Sequence, residues 1–167
     1  KDFLKDNHLT SLPIAPFRGA RFNILFNNAS GVYFLHNQMK KFLAEYGAEN
    51  RLTKAVLNDL QNADLIAGCK ALGLIGSLVT SPLWCIIDDK QHSIVDMNNV
   101  YQQLLTFFEE VLHHLPEFLT GDFLPFGVET KVHKGPVYDS LVQESAIDST
   151  VEAMEPAELL NRLAADG

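Results

Sequence analysis

Only two of the 167 residues are cysteine, and neither belongs to a CxxC pair or stands with histidines at zinc-ligand spacing. That shortage excludes a disulfide-stapled miniprotein and a zinc module of ordinary spacing. Cationic residues are also scarce: 13 Lys and Arg face 21 Asp and Glu, for a net charge of −8, which excludes a strongly basic nucleic-acid-binding domain. There is no GxxxxGK[ST] phosphate loop, no GxSxG elbow, no internal repeat and no low-complexity tract. The start, Lys-Asp-Phe-Leu-Lys-Asp, lacks the apolar core of a signal peptide. Because the first residue is Lys1, the expectation is a fragment or processed product.

What the chain does have is apolar mass. Hydrophobic residues make up 47% of it, enough for one domain with a sizeable core. Charge is unevenly spread. Residues 1–70 hold 9 Lys/Arg and 6 Asp/Glu (+3), while residues 71–167 hold 4 and 15 (−11); two readings are open, ordinary surface charge or a front half that would meet a polyanion. Cys69 and Cys85 lie inside apolar runs, which predicts two free, buried thiols in a reducing compartment; a disulfide between them is the alternative.

Hydrophobic periodicity predicts an all-α fold, an irregular multi-helix bundle around a buried apolar helix at about 64–79, with a loop-rich acidic C-terminal part. Residues 1–16 form a lead-in segment broken by Pro13 and Pro16, residues 17–120 the bundle, and residues 121–167 the acidic tail. A long helix is expected over about 20–46, with Phe22, Leu25, Phe26, Ala29, Val32, Tyr33, Leu35, Met39, Phe42 and Leu43 on its apolar side. Gly31 is a possible kink and Gly47 a natural stop. A shorter helix follows at about 51–61. Asp64 is the expected N-cap of the next, whose residues are apolar all round with Lys70 the only charge, the pattern of a buried central helix. Gly68, Gly73 and Gly76 would let neighbours approach. The uncharged run Ala71–Ile87 is 17 residues long, at the short limit for a membrane span, and its glycines and Pro82 favour a core helix with no membrane role. Ser81 then caps a short helix with Pro82 at its first position.

The most regular helix is expected over about 96–115, ended by Pro116, with Met97, Tyr101, Leu104, Phe108, Val111 and Leu115 at heptad spacing. Val100, Leu105, Phe107 and Leu112 widen that stripe and favour burial in a bundle. Residues 122–135 are a long loop, 137–142 a helical turn or short strand, and 145–167 an acidic stretch with weak helix potential. No catalytic set assembles. The Glu109, Glu110, His113, His114 group and the Asp88-Asp89 pair are solvated surface rather than metal sites.

Arg18 and Arg21 lie beside Phe17, Phe22, Phe26, Tyr33 and Phe34. Two readings are open: the rings are core and the arginines surface, or the arginines and one ring face a nucleic-acid strand.

Several blocks carry a family likeness: Arg21-Phe-Asn-Ile-Leu-Phe-Asn-Asn-Ala-Ser-Gly-Val-Tyr-Phe-Leu35, Lys54-Ala-Val-Leu-Asn-Asp-Leu60, Ala67-Gly-Cys-Lys-Ala-Leu-Gly-Leu-Ile75, Val79-Thr-Ser-Pro-Leu-Trp84 and Val137-Tyr-Asp-Ser-Leu-Val142. In this order they resemble a group of animal proteins derived from hAT-type DNA transposases, and the likeness spans about residues 17–142. It implies the helical insertion of an RNase H-like enzyme. The Asp/Asp/Glu triad and its Mg²⁺-type ions would lie elsewhere in the parent, with the last Glu beyond Gly167 or in the acidic tail, so this chain would need no cofactor. Arg21-Phe22 takes the place of the family's Arg-Trp pair; Phe can stack but lacks the indole donor. The resemblance also implies a nuclear, intracellular protein. Arg18, Arg21 and Phe22 would contact DNA, and Lys40, Lys41 and Lys54 would neutralise phosphates. Alternatives are a protein-interaction or self-associating scaffold using Met97, Tyr101, Leu104 and Phe108, and a bundle with an apolar ligand cavity around 67–87.

Overall fold

The computed structural model describes residues 10–16, 22–46, 50–89, 97–127 and 134–143, together with Lys5. Every regular element among them is helical: α1 (Phe22–Tyr46), α2 (Arg51–Gln61), α3 (Ala63–Ile75), a π-helical turn (Gly76–Thr80), α4 (Ser81–Asp88), α5 (Met97–Glu110), α6 (Leu115–Thr120) and α7 (Pro136–Val142). The all-α expectation holds. The stop at Gly47 and the tail helices near 147–165 fall outside the described residues.

Two asparagines set the first corner. The Asn50 side chain accepts a hydrogen bond from the Leu52 N–H at 2.9 Å, and that of Asn62 accepts from Asp64 N–H at 2.9 Å. Asn62 closes α2 and opens α3, so the two helices meet without a loop. Asp64, expected as the cap, sits instead in the first turn of α3, where its carboxylate still meets the positive end of the helix dipole.

α3, the π turn and α4 run on as one rod from Ala63 to Asp88, because Thr80 and Ser81 both keep right-handed helical dihedrals. The expected break with Ser81 as N-cap does not occur. A proline ring collides with the carbonyl four residues back in a regular helix. The helix widens directly before the proline: Ser81 N–H bonds Gly76 O across the π turn, and the Thr80 hydroxyl donates to the same Gly76 carbonyl at 3.1 Å. The rod is 26 residues long and holds an 18-residue stretch of mean hydropathy 1.6, so by length and composition alone it could cross a membrane. Ile66, Lys70, Gly73, Leu74, Leu78 and Val79 along it are nevertheless buried within the protein.

The core joins Tyr33 of α1, Leu60 of α2, Ile66 and Leu74 of α3, Leu78 and Val79 of the π turn, Phe107 of α5, Phe118 of α6 and Leu141 of α7. α3 is not enclosed all round, as its composition suggested. Leu65, Gly68 and Ala71 face outward, and only the side toward α1, α2 and α7 is covered. Gly73 and Gly76 do permit close approach: a Cβ on Gly73 would stand 2.8 Å from Leu141 and one on Gly76 2.8 Å from Phe26. Gly68 has open space around it and plays no such part. α1 is continuous through Gly31, whose missing side chain makes room for the Pro13 carbonyl.

α5 ends at Glu110, a turn earlier than expected, and Pro116 begins α6 instead of ending α5. The same ring-to-carbonyl clash explains the shift, because a continuous helix would put residue 112's carbonyl against Pro116. Gly121 closes α6 with φ +81°, and its N–H reaches back to Glu117 and Phe118.

The thiols differ from expectation. Both are free, but Cys85 is exposed and only Cys69 is half-buried. Desolvation pushes the Cys69 thiol up from its ordinary value, so less of it is the reactive thiolate at any pH below that point. At pH 8, Cys85 should therefore react with Ellman's reagent at least about tenfold faster than Cys69. Equal rates in the native protein, followed by mass mapping, would contradict this arrangement.

Candidate nucleic-acid interface and helical docking face

Of the residues expected to touch DNA, Arg18, Arg21 and the side chain of Phe22 lie outside what the structure describes. The chain just ahead of them is fixed. The Ala15 N–H donates to Asn28 Oδ1 and Asn28 Nδ2 donates to the Ala15 carbonyl, both at 2.9 Å, which holds the segment on α1 three residues before Arg18.

Lys40, Lys41 and Lys54 belong to one corner. Lys40 and Lys41 stand in the last two turns of α1, Lys40 half-buried and Lys41 exposed; Lys54 is exposed at the start of α2. Periodicity had assigned Phe42 to the buried side of α1, but it is 61% exposed, and Tyr46 one turn on is 69% exposed. Their rings lie 5.2 Å apart at 38°. The physical reason is facing: Met39 and Leu43 still pack against the core, while Phe42 and Tyr46 lie on a neighbouring side of the same turns that stays exposed. Arg51 and Leu52, also exposed, follow at the start of α2.

The corner therefore offers two solvent-facing rings with four cationic side chains within about fifteen residues of sequence. Between Lys40 and Lys54 there are four Lys/Arg and two acids, Glu45 and Glu49, for a net +2. Glu45 tempers the site: its hydrogen bond to the Tyr46 hydroxyl raises the phenol's pKa and directs that hydroxyl to the carboxylate. Sequence reasoning found the lysines and missed Phe42, Tyr46 and Arg51. The available signal was spacing: Phe42 and Tyr46 are four apart and share one side of α1, next to the side that Met39 and Leu43 share.

The second candidate face is on α5. At about 100° per residue, its side chains fall into three faces. Val100 and Phe107 point into the core, with Leu104 and Val111 packed beside them. Gln102, Thr106 and Glu110 line a shallow groove of about 420 Å³ with Phe123 and Pro125. The remaining face carries Tyr101 (51% exposed), Leu105 (52%) and Phe108 (50%), and Leu112 (69%) follows in the turn after α5. Of the expected interaction residues, Tyr101 and Phe108 are on this face, Leu104 packs on the core and Met97 is half-buried. The groove mixes polar and apolar walls, and none of its lining residues belongs to 67–87, the stretch where an apolar ligand cavity was expected.

Among the described residues no group of three or more His, Cys, Asp and Glu side chains converges to hold a metal ion. His114 stacks its ring on Phe123 with centroids 4.6 Å apart and lies 3.9 Å from Glu117. Compared with known protein families, characterised proteins and solved structures, the chain matches none.

Proposed function

We propose that this chain is a helical DNA-contacting and assembly module of a transposase-like, nuclear protein, and that the metal-dependent chemistry belongs to parts of the parent outside it. The observation that carries the DNA reading is the α1–α2 corner, where the exposed Phe42–Tyr46 pair stands between Lys40-Lys41 and Arg51–Lys54. Rings free to take a base and cations free to take the adjoining phosphates are the two requirements for holding a single strand or an opened end. The hAT resemblance adds Arg18, Arg21 and Phe22 as a second contact. It rests on the sequence blocks given above.

Binding of a fluorescent hairpin DNA with a single-stranded flank tests this reading. With four phosphates neutralised, log K should fall with log salt at a slope of about −2.8. Lys41→Ala should reduce that slope by about 0.7, and Phe42→Ala should weaken binding by about 1–3 kcal/mol without changing it. Arg21→Ala should also weaken binding. Salt-independent binding, or none to hairpin or flanked ends, would refute the DNA reading.

A second reading, an interaction scaffold without nucleic acid, is favoured by the exposed apolar face of α5.

A further inference from the structure

We infer that the acidic segment 144–167 of this same chain docks on the α1–α2 corner and covers the Phe42–Tyr46 pair, so that nucleic acid has to displace it. The competition rests on the DNA reading of the corner; the docking does not.

Charge selects the corner. Among the described residues, exposed aromatic side chains stand in three places: Phe42 with Tyr46 in α1, Trp84 in α4, and Tyr101 with Phe108 in α5. Trp84 is followed by Asp88-Asp89, and Phe108 by Glu109-Glu110. Only the Phe42–Tyr46 pair stands among cations, with a net +2 from Lys40 to Lys54. Segment 144–167 lies outside the described residues. Its sequence holds six acids and one arginine, a net −5. Two of the three places repel it and the third attracts it.

The pattern fits as well as the charge. Ile147, Val151 and Met154 recur at spacings of four and three, and Asp148, Glu152 and Glu155 repeat those spacings one residue on. On a helix these are two adjoining stripes, one apolar and one anionic. The corner presents their complement. Phe42 and Tyr46 are four apart on α1, Lys41 directly precedes Phe42, and Lys54 is exposed on the next helix. The rings take the apolar stripe, and the two ammonium groups take the carboxylates.

The path of the chain leads there. α3 runs antiparallel to α1, because Gly76 meets Phe26, Gly73 meets Ser30 and Lys70 meets Tyr33. α7 rises through the same levels toward the C-terminal end of α1. Leu141 lies against Gly73, and the Gln143 carbonyl against Lys70 Nζ. Segment 144–167 therefore starts near the level of Tyr33. Phe42 lies nine residues further along α1, about 14 Å at the helical rise. Residues 144–147 span about 13 Å when extended, which places Ile147 and the stripes after it within reach of the rings.

Zero-length carbodiimide coupling of the full chain at low salt, without DNA, tests the docking, since it joins a carboxylate to an amine only where the two touch. Mass mapping of the monomeric product should show Asp148, Glu152 or Glu155 joined to Lys41 or Lys54. These links should be lost at about 1 M salt, where screening acts within about 3 Å. Lys134, exposed before the other end of α7, is the control. Coupling to Lys41 and Lys54 no greater than to Lys134 overturns the docking, and so does coupling confined to dimers. Hairpin DNA binding tests the competition. Asp148→Asn with Glu152→Gln and Glu155→Gln should tighten it about three- to tenfold, the range for releasing three exposed ion pairs. Asp88→Asn with Glu109→Gln and Glu110→Gln removes as many charges elsewhere and should change it by no more than about twofold. An equal gain from both triple variants, or none from the first, overturns the competition. If no variant binds DNA, the DNA reading fails and the competition with it, while the coupling pattern still decides the docking.

Discussion

Leu74→Ala is expected to cost about 2–5 kcal/mol, the range for truncating an enclosed leucine. Leu74 is 0% exposed and shares the core with Tyr33, Leu78 and Leu141. Its surroundings cannot collapse easily into the hole. The neighbouring residue, Gly73, already brings α3 so near α1 and α7 that an added Cβ would stand 2.8 Å from Leu141 and 3.0 Å from Ser30 Cβ. Backbones in such contact leave little room to relax, so the cavity term should be near its upper limit. Against a total stability of about 5–15 kcal/mol, the loss is a third or more. Urea denaturation should show it as a lowered midpoint at constant slope. Leu65→Ala, one turn from the start of the same helix and 45% exposed, should change stability by no more than about 0.5 kcal/mol. If the two variants are equally destabilised, α3 does not have the one-sided burial described here.

Lys70→Glu is expected to cost about 3 kcal/mol or more, because it reverses a charge that the fold encloses. Lys70 is 5% exposed. Its Nζ lies 3.5 Å from the Gln143 carbonyl at the end of α7 and 5.9 Å from the centre of the Tyr33 ring. Both neighbours present negative potential to a cation, one through a carbonyl oxygen at a helix C-terminus and the other through a ring face. A carboxylate there would be desolvated and repelled by both. Lys70→Met keeps the apolar stem and removes the charge that burial penalises, so it should cost less than half as much. The measurement is the urea midpoint of the two variants, with protection of the α7 amides from hydrogen exchange as a local readout. Equal stability of Lys70→Glu and the parent protein would show that the ammonium reaches water.

These two residues also mark how far the sequence could be read. Leu74 lies within a strongly apolar run, and its burial was legible from composition alone. Lys70 was legible only as the single charge on an apolar helix. That it is enclosed depends on Tyr33 and Gln143, one 37 residues before it and the other 73 after it, and no local pattern encodes such a meeting. The α1–α2 corner shows the same division. Lys40, Lys41 and Lys54 were found from charge, whereas Phe42 and Tyr46 were lost because an apolar period says which side of a helix is greasy and not whether anything covers it.

The helix boundaries separate along similar lines. α2 spans Arg51–Gln61 as expected, since Asn50 and Asn62 cap it with their own side chains, and capping is a local interaction. The prolines misled because their effect depends on the backbone around them. At Pro82 a π turn absorbs the ring and the rod continues; at Pro116 the helix breaks a turn early and restarts.

By itself, then, the sequence determined the helical class, the capped short helix, the apolar weight of residues 64–79 and the uneven charge of the two halves. All of these follow from interactions within a few residues of each other, where spacing along the chain is spacing in space. Only the tertiary structure decided which sides of α1, α3 and α5 remained open to solvent, that Lys70 went inside and Cys85 outside, and that α5 carries two apolar seams where one was expected. Burial is a property of neighbours brought together from distant parts of the chain, and a helix can be amphipathic toward a core and still have another apolar face with nothing on it.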